Sequence, residues 1–315
     1  MATHPVRFGV QTGQQNVEWA AVEELWLAAE SWGYDSLWAF DHFYPIFTDP
    51  SGPCLEGWTM LGALAHATRR ARIGHLVTGN TYRNPCLLAK MVATVDQIAN
   101  GRTILGLGGG WFEHEHTSLG FHFGTVGERL GALEESCRII TALLAGEKVT
   151  LEGRHYRVKD ALCRPLPVQQ HVPLMIGGEG KRVLLPIVAR YADMWNAAGT
   201  PEKMAELIEV IERHCDAEGR NPDAIEKTVM MPLCYTMDSG RQELMTAILS
   251  ATFGMEPEET RRRTMIGSRD ECLEKVGSYL AVGVTHFIFM LMTPYFTDEV
   301  RAFAEEVIPA ARALS

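Results

Sequence analysis

An aspartate and a histidine stand side by side in Phe40-Asp41-His42-Phe43, directly after the short apolar run Ser36–Phe40. An acid and an imidazole leaving a buried strand suit proton transfer, or hydrogen bonding to a heteroaromatic ring. The plainer reading is a capping aspartate and a packed histidine, and spacing alone does not separate the two. A second polar stretch, His75-Leu76-Val77-Thr78-Gly79-Asn80-Thr81-Tyr82-Arg83, follows another apolar run. Its glycine lets backbone approach a ligand closely, and Arg83 is long enough to reach an anionic group. The alternative is an ordinary turn into the next helix.

Two glycine-rich turns add to the set. Leu105–Trp111 carries Gly106, Gly108, Gly109 and Gly110, but the dinucleotide pattern G-x-G-x-x-G fails at its sixth position, Trp111. That fingerprint also belongs to the first strand–helix turn of an open sheet, and this stretch comes much later in the chain. A flat ring or a phosphate can still lie against such bare backbone. Glu113-His114-Glu115-His116 lacks the H-E-x-x-H spacing that sets two histidines on one helical face. It reads as an exposed, solvated loop, and no metal is expected. Gly177-Gly178-Glu179-Gly180-Lys181 offers free amides at the start of a helix, with Lys181 and Arg182 beside them, and reads as a phosphate seat with Glu179 turned away.

What would position these groups is an alternation of short apolar runs and longer amphipathic segments. The runs are Val6–Gln11, Ser36–Phe40, Ala71–Val77, Thr103–Leu107, Pro173–Ile176, Ala192–Asn196, Thr228–Cys234 and Thr285–Leu291. They are continuously apolar, as strands buried on both faces must be. Between them, helices are expected around Trp19–Ala29, Gly57–Arg70, Asn84–Asn100, Val126–Ala145, Lys181–Tyr191, Pro201–Glu218, Arg269–Val282 and Thr297–Leu314. In the third of these, Leu88, Met91, Val92, Val95 and Ile98 follow helical spacing, Asn84 caps the start and Gly101 follows the end. Eight strand–helix units predict a closed (β/α)8 TIM barrel, residues 1–315 forming one domain, with its active site at the carboxyl ends of the strands. Gly146–Gln170 breaks the rhythm and reads as an insertion between strands four and five, with a hairpin at Glu152-Gly153.

Composition excludes several roles. A net charge of -10 argues against a nucleic-acid or anionic-membrane surface. No run is long enough for a membrane span, and MATHPVRFGVQTG does not read as a signal peptide. Seven cysteines without a CxxC pair fit a reducing cytoplasm better than a disulfide framework.

Taken in order along the chain, these stretches resemble the luciferase-like monooxygenase superfamily, in particular its coenzyme F420-dependent oxidoreductases. The resemblance is carried by Gly33-Tyr34-Asp35-Ser36-Leu37-Trp38 with Asp41-His42, Leu76-Val77-Thr78-Gly79, Tyr82-Arg83-Asn84-Pro85 and Gly101-Arg102. Further on it rests on Leu105–Glu113, Glu152–Tyr156, Ile176-Gly177-Gly178 and Ala189–Asp193. It implies a deazaflavin ring across the barrel mouth, propped by a bulge near His75–Leu76 that often holds a non-proline cis peptide. It implies that Thr78 bonds the ring edge, that Gly109 and Gly110 line it, that Gly177, Gly178, Gly180 and Lys181 hold the phosphate, and that His42 lies over the ring. The strand-end residues Gln11, Gly108 and Asn196 join the cofactor-binding set by position. His42 would polarise or protonate the substrate, with Asp41 orienting it or contacting the ring.

There are departures from the family pattern. Deazaflavin-dependent glucose-6-phosphate dehydrogenases have a tryptophan where this chain has Ile46, and a glutamate where it has Trp111. Both are substrate-side groups, so the expectation is hydride transfer between F420 and an unidentified small organic molecule. An FMN-dependent monooxygenase served by a separate flavin reductase is the second reading, and a non-catalytic flavin-fold protein the third. Relatives are often homodimers. Phe43, Tyr44, Phe47, Trp58, Trp111 and Phe112 suggest a largely apolar substrate pocket.

Overall fold

Strands that are apolar at every position need cover on both faces, and a barrel sheathed in helices provides it. The computed structural model describes residues 4–314. Its strands are β1 (Arg7–Thr12), β2 (Ser36–Ala39), β3 (Arg72–His75), β4 (Thr78–Gly79), β5 (Thr103–Gly108), β6 (Val149–Glu152), β7 (Arg157–Ala161), β8 (Leu174–Gly177), β9 (Met194–Ala197), β10 (Glu226–Tyr235), β11 (Met265–Gly267) and β12 (Val284–Leu291). Eight of them form a parallel barrel in the order β1-β2-β3-β5-β8-β9-β10-β12, closed by the β12–β1 pairing. The fold is the expected (β/α)8 barrel. Trp38, Leu76, Ile104, Met175, Met194 and Ile288 fill its interior, while Phe8, Phe287, Phe289 and Phe303 pack between strands and helices. No helix among the described residues is long and apolar enough to cross a membrane.

The helix Pro85–Ala99 forms as its caps dictate. Asn84 accepts a hydrogen bond from the Cys86 amide at 2.9 Å, Pro85 occupies the first turn, and Asn100 ends the helix in the left-handed region at φ 52°. Leu88, Val92 and Val95 face the core, while Ile98 is exposed. The insertion is the antiparallel hairpin β6–β7, whose turn is held by Glu135 accepting from the amides of Arg154, His155 and Tyr156.

Three elements depart from the sequence reading. Glu113–Leu119 is a helix rather than an exposed loop, and it buries Glu115 and His116. Ser239–Phe253 and Pro257–Arg263 are helices between the expected strand Thr228–Cys234 and the expected helix Arg269–Val282, where no element was expected, and they are followed by the short β11 paired to β10. The run Ala71–Val77 does not form one strand. It divides into β3 and β4 around a cis peptide between Leu76 and Val77. Gly106 makes room for this: a Cβ there would lie 1.9 Å from the His75 carbonyl oxygen, so β5 can approach the broken strand only as glycine.

At the amino-terminal end of the barrel, Glu226 is buried against Arg7 (2.8 Å) and His286 (3.2 Å). His286 in turn meets Ser36 at 2.8 Å, whose hydroxyl accepts from the Trp38 indole. Burial works against the Glu226 charge, but its two partners outweigh it and hold the carboxyl down to about 2 from 4.5. A carboxyl depressed in the folded state stabilises fully above its ordinary value and loses that contribution as pH falls toward 2. Glu226→Gln is therefore expected to cost about 3 kcal/mol near neutrality, on about 1.4 kcal/mol per unit. The gap to the wild type, followed by urea unfolding at pH 7 and pH 3, should narrow by more than half; a gap independent of pH contradicts the assignment.

Candidate active site

At the carboxyl ends of the strands the central side chain is His42, just beyond β2. Its Nδ1 lies 2.9 Å from Oε2 of Glu115. A carboxylate can only accept, so Nδ1 carries the proton and Nε2 presents a lone pair. The ring is held edge-on by Phe40 (5.3 Å), Trp111 (5.6 Å) and Phe112 (5.8 Å) between ring centres.

Glu115 is fully buried and comes from the helix Glu113–Leu119. Besides His42 it accepts from the Phe43 amide (2.6 Å), the Tyr44 amide (3.0 Å) and the Tyr82 hydroxyl. These four donors match the roughly four lone-pair sites of a carboxylate. Burial alone would raise its pKa; the bonds from His42, Tyr82 and Phe43 outweigh burial and hold it below the ordinary carboxylate range. Burial and the bond to Glu115 push the Tyr82 phenol far up, so it stays a donor.

Asp41 does not touch His42 through any hydrogen bond. Its two oxygens accept from Arg83 at 2.6 and 3.0 Å, and Oδ2 also accepts from the Gly79 amide at 3.1 Å. Arg83 reaches on to Glu56 at 2.7 Å. Asp41 is thus a buried, bidentate partner of arginine that joins the end of β2 to β4, and the carboxylate bonded to the His42 ring is Glu115. Arg83, read as a group for an incoming anion, is already committed to two carboxylates.

The cavity above the barrel has a volume of ≈ 280 Å³ and is lined by Asp41, His42, Leu76, Thr78, Gly108, Gly110, Gly177, Gly178 and Asn196 among others. Nine of the expected residues therefore converge on one space. The Thr78 hydroxyl is buried there with no hydrogen-bond partner. Asn196 donates to Thr228 at 2.7 Å, which leaves its carbonyl oxygen for a ligand. Gly110 sits at φ 74°, and a Cβ on it would meet the Thr81 hydroxyl at 2.6 Å. Gln11 lies one layer lower, donating to the Leu76 carbonyl at 2.7 Å and lining an adjoining cavity. Beyond Gly178, the amides of residues 179–183 donate no hydrogen bond among the described residues.

Other expected residues fall outside this space. His75 is buried behind the broken strand against Trp58, with ring centres 4.8 Å apart, and burial lowers its pKa toward the neutral form. Neither it nor Trp58 lines the cavity, because the β3–β4 break turns Leu76, Val77, Thr78 and Gly79 inward instead. Gly109 packs toward Leu130, and Gly180 lies beyond the lining. The helix after β8 begins only at Leu184, and the Lys181 ammonium pairs with Glu206 on the neighbouring helix. Glu179, expected to turn away, is exposed at the rim of the cavity. Glu115 and Tyr82 are the residues that sequence reasoning missed. The available signal was a His–Glu-rich run four residues after a glycine turn, with a tyrosine near a second rim turn.

Removing Glu115 leaves His42, Tyr82 and two amides without an acceptor inside the protein. Glu115→Ala is expected to cost about 3–5 kcal/mol, and Tyr82→Phe about 1.5–3 kcal/mol for a bond to a charged acceptor. Urea unfolding at neutral pH checks both; a loss below 1 kcal/mol in each would show that this carboxylate does not hold the loops.

The chain is similar over its whole length to proteins of one family. A family model described as luciferase-like monooxygenase matches residues 2–263. The F420-dependent glucose-6-phosphate dehydrogenase of Microbacterium testaceum is 29% identical, with 98% of each chain covered. Among solved structures, an F420-dependent secondary alcohol dehydrogenase in complex with an F420-acetone adduct superposes with a TM-score of 0.86 at 21% identity, covering 98% of this chain and 99% of that one. The coenzyme F420 dependent tetrahydromethanopterin reductase of Methanopyrus kandleri gives 0.82 at 20%, over 98% and 99%. The cavity at the carboxyl ends of the strands and the broken third strand thus stand in a chain that belongs to the luciferase-like monooxygenase family.

Proposed function

We propose that this protein is an oxidoreductase that moves hydride between coenzyme F420 and a small organic substrate. The observation that carries the reading is His42, whose side chain lines the cavity while its Nδ1 is fixed by a buried carboxylate. The F420-dependent activities named for its relatives point the same way. The residues present suit a ring with polar edges and a phosphate. Thr78 brings an unpartnered hydroxyl, Asn196 a free carbonyl oxygen, and Gly108, Gly110, Gly177 and Gly178 bare backbone. The open amides of residues 179–183 suit the phosphate without any lysine.

When bound, a deazaflavin supplies a carbon that gives or takes hydride; the protein supplies position and a proton path. His42 Nε2 accepts the proton of a substrate hydroxyl, or returns it in the reverse direction. Glu115 keeps the imidazole in the tautomer that makes this possible and stabilises the imidazolium that results. Asp41 and Arg83 hold the rim in place. The seven free thiols fit a reducing cytoplasm.

Titration of the purified protein with F420 and with FMN tests the cofactor. F420 should bind tightly, and Thr78→Val should weaken it by about tenfold, the worth of one hydrogen bond. His42→Ala should leave F420 affinity unchanged and lower the rate of bound-F420 reduction by about 10²-fold or more. Tight FMN binding without F420 binding would favour a monooxygenase supplied by a flavin reductase; binding of neither would favour a non-catalytic protein.

A further inference from the structure

A separate cleft of ≈ 240 Å³ shares no lining residue with the cavity over the strand ends. Thr81 reaches it from the turn after β4, Arg129 from the first turn of the helix Val126–Leu144, and His155 and Tyr156 from the β6–β7 hairpin. His122, on the loop before that helix, completes the polar wall together with Glu128. Arg129 is fixed before any ligand arrives. Its Nε donates to the Gly110 carbonyl at 3.1 Å, its Nη1 donates to the Gly124 carbonyl, and its guanidinium carbon lies 4.1 Å from the centre of the Phe123 ring. Clamping two carbonyls uses Nε and Nη1 but leaves Nη2 without an acceptor among the described residues. Nor do the imidazoles of His122 and His155 hydrogen-bond to any described residue. The Tyr156 hydroxyl accepts from Asn80 at 3.3 Å and has no acceptor for its own proton among those residues.

We infer that this cleft binds a small organic anion through a phosphate or carboxylate group, with Arg129 as its principal contact. Guanidinium bonds to such groups are charge-assisted, and one already held in place gives up little freedom on binding. The one carboxylate on the lining among the described residues, Glu128, is exposed and already engaged. Its Oε2 accepts from the Thr125 amide at 2.7 Å and the Thr125 hydroxyl at 2.8 Å, closing the box that caps the helix. Arg154, on the hairpin turn, offsets its charge. The groups left open in the cleft are therefore donors, as an anion requires. Taking about 10–15 Å³ for one water-sized site, the cleft admits on the order of fifteen heavy atoms, which suits an organic anion better than a bare ion.

Gly110 joins the two spaces. It lines the main cavity, and its carbonyl accepts from the Arg129 Nε. An anion on Nη2 is thus held against the same glycine turn that walls the main cavity. Two sources supply the chemistry: a free metabolite, or the carboxylates of the glutamyl tail that F420 carries.

Calorimetry on the full-length, cofactor-free protein tests the site, with citrate and inorganic phosphate as probes and glucose as the uncharged control. Citrate should bind saturably and glucose should not. Arg129→Gln should weaken citrate by about tenfold or more, and His155→Ala by about threefold. Glu128→Gln keeps the helix cap while removing the charge, and should tighten citrate by about threefold. A tighter complex is a result that loss of folding cannot imitate, so the site stays testable should Arg129→Gln not fold. Repeating the titration with F420 bound separates the two sources. Unchanged citrate affinity identifies a free anion, and loss of the Arg129-dependent binding identifies the glutamyl tail. Absence of saturable binding by either probe overturns the site. So does binding that ignores all three substitutions, which would belong to the open amides of residues 179–183. Failure of F420 to bind overturns the hydride-transfer reading alone and leaves the citrate result standing.

Discussion

A carboxylate with no exposure to solvent must be given as many donors as it has lone pairs, and Glu115 receives them from two loops that share no sequence neighbourhood. The loop after β2 brings His42 and the amides of Phe43 and Tyr44, the turn after β4 brings Tyr82, and the helix after β5 brings the acid itself. Meeting this one electrostatic demand fixes the relative positions of three successive strand–helix connections. It also chooses the tautomer of the histidine that faces the cavity. The geometry around His42 is thus a by-product of satisfying a buried charge.

The barrel beneath imposes a second condition. An interior packed with Trp38, Ile104, Met175, Met194 and Ile288 offers no room for a ligand, so any site must lie above that layer. Breaking the third strand brings Leu76, Val77 and Thr78 to the top of the packing, and Gly106 allows it by letting β5 pass the His75 carbonyl. Gln11, bonded to the Leu76 carbonyl, ties the break back to β1. The Thr78 hydroxyl is left without a protein partner as a consequence.

The strands were readable because a strand covered on both faces leaves a largely apolar run, and such a run lies over each of the eight barrel strands, although the one over β3 continues past the break into Val77. Helices with apolar stripes and ordinary caps, such as Pro85–Ala99, were readable for the same kind of reason. Glu113–Leu119 was not, because its buried positions are a glutamate and a histidine, which carry no hydrophobic period. Ser239–Phe253 blurs the pattern, burying Gln242 and Thr246 beside Leu249 while exposing Leu244 and Ile248. The glycine turns and Thr78 could be placed from the sequence because backbone requirements are local. The pairing of His42 with Glu115 spans 73 positions and rests on three loops meeting, so no local pattern announces it. The bidentate bond between Asp41 and Arg83 was hidden in the same way, because adjacency to His42 in sequence says nothing of a partner 42 positions on.

The same distinction bears on how far a relative's substrate transfers. Features that would hold a ring and a phosphate depend on backbone and on small residues, here Gly108, Gly110, Gly177 and Gly178. Features that select a substrate depend on a few side chains projecting over the ring, and single replacements change them completely. Ile46 and Trp111 occupy the two places where the sugar-phosphate enzymes of this family are expected to carry tryptophan and glutamate, and here both face the spaces beside His42. An aliphatic side chain and an indole neither bind a hydroxylated sugar by charge nor shuttle a proton, and of the side chains lining both spaces His42 alone can do so. Its carboxylate partner is fully buried and lines neither space, so it fixes the imidazole without bringing its own charge to the cavity wall.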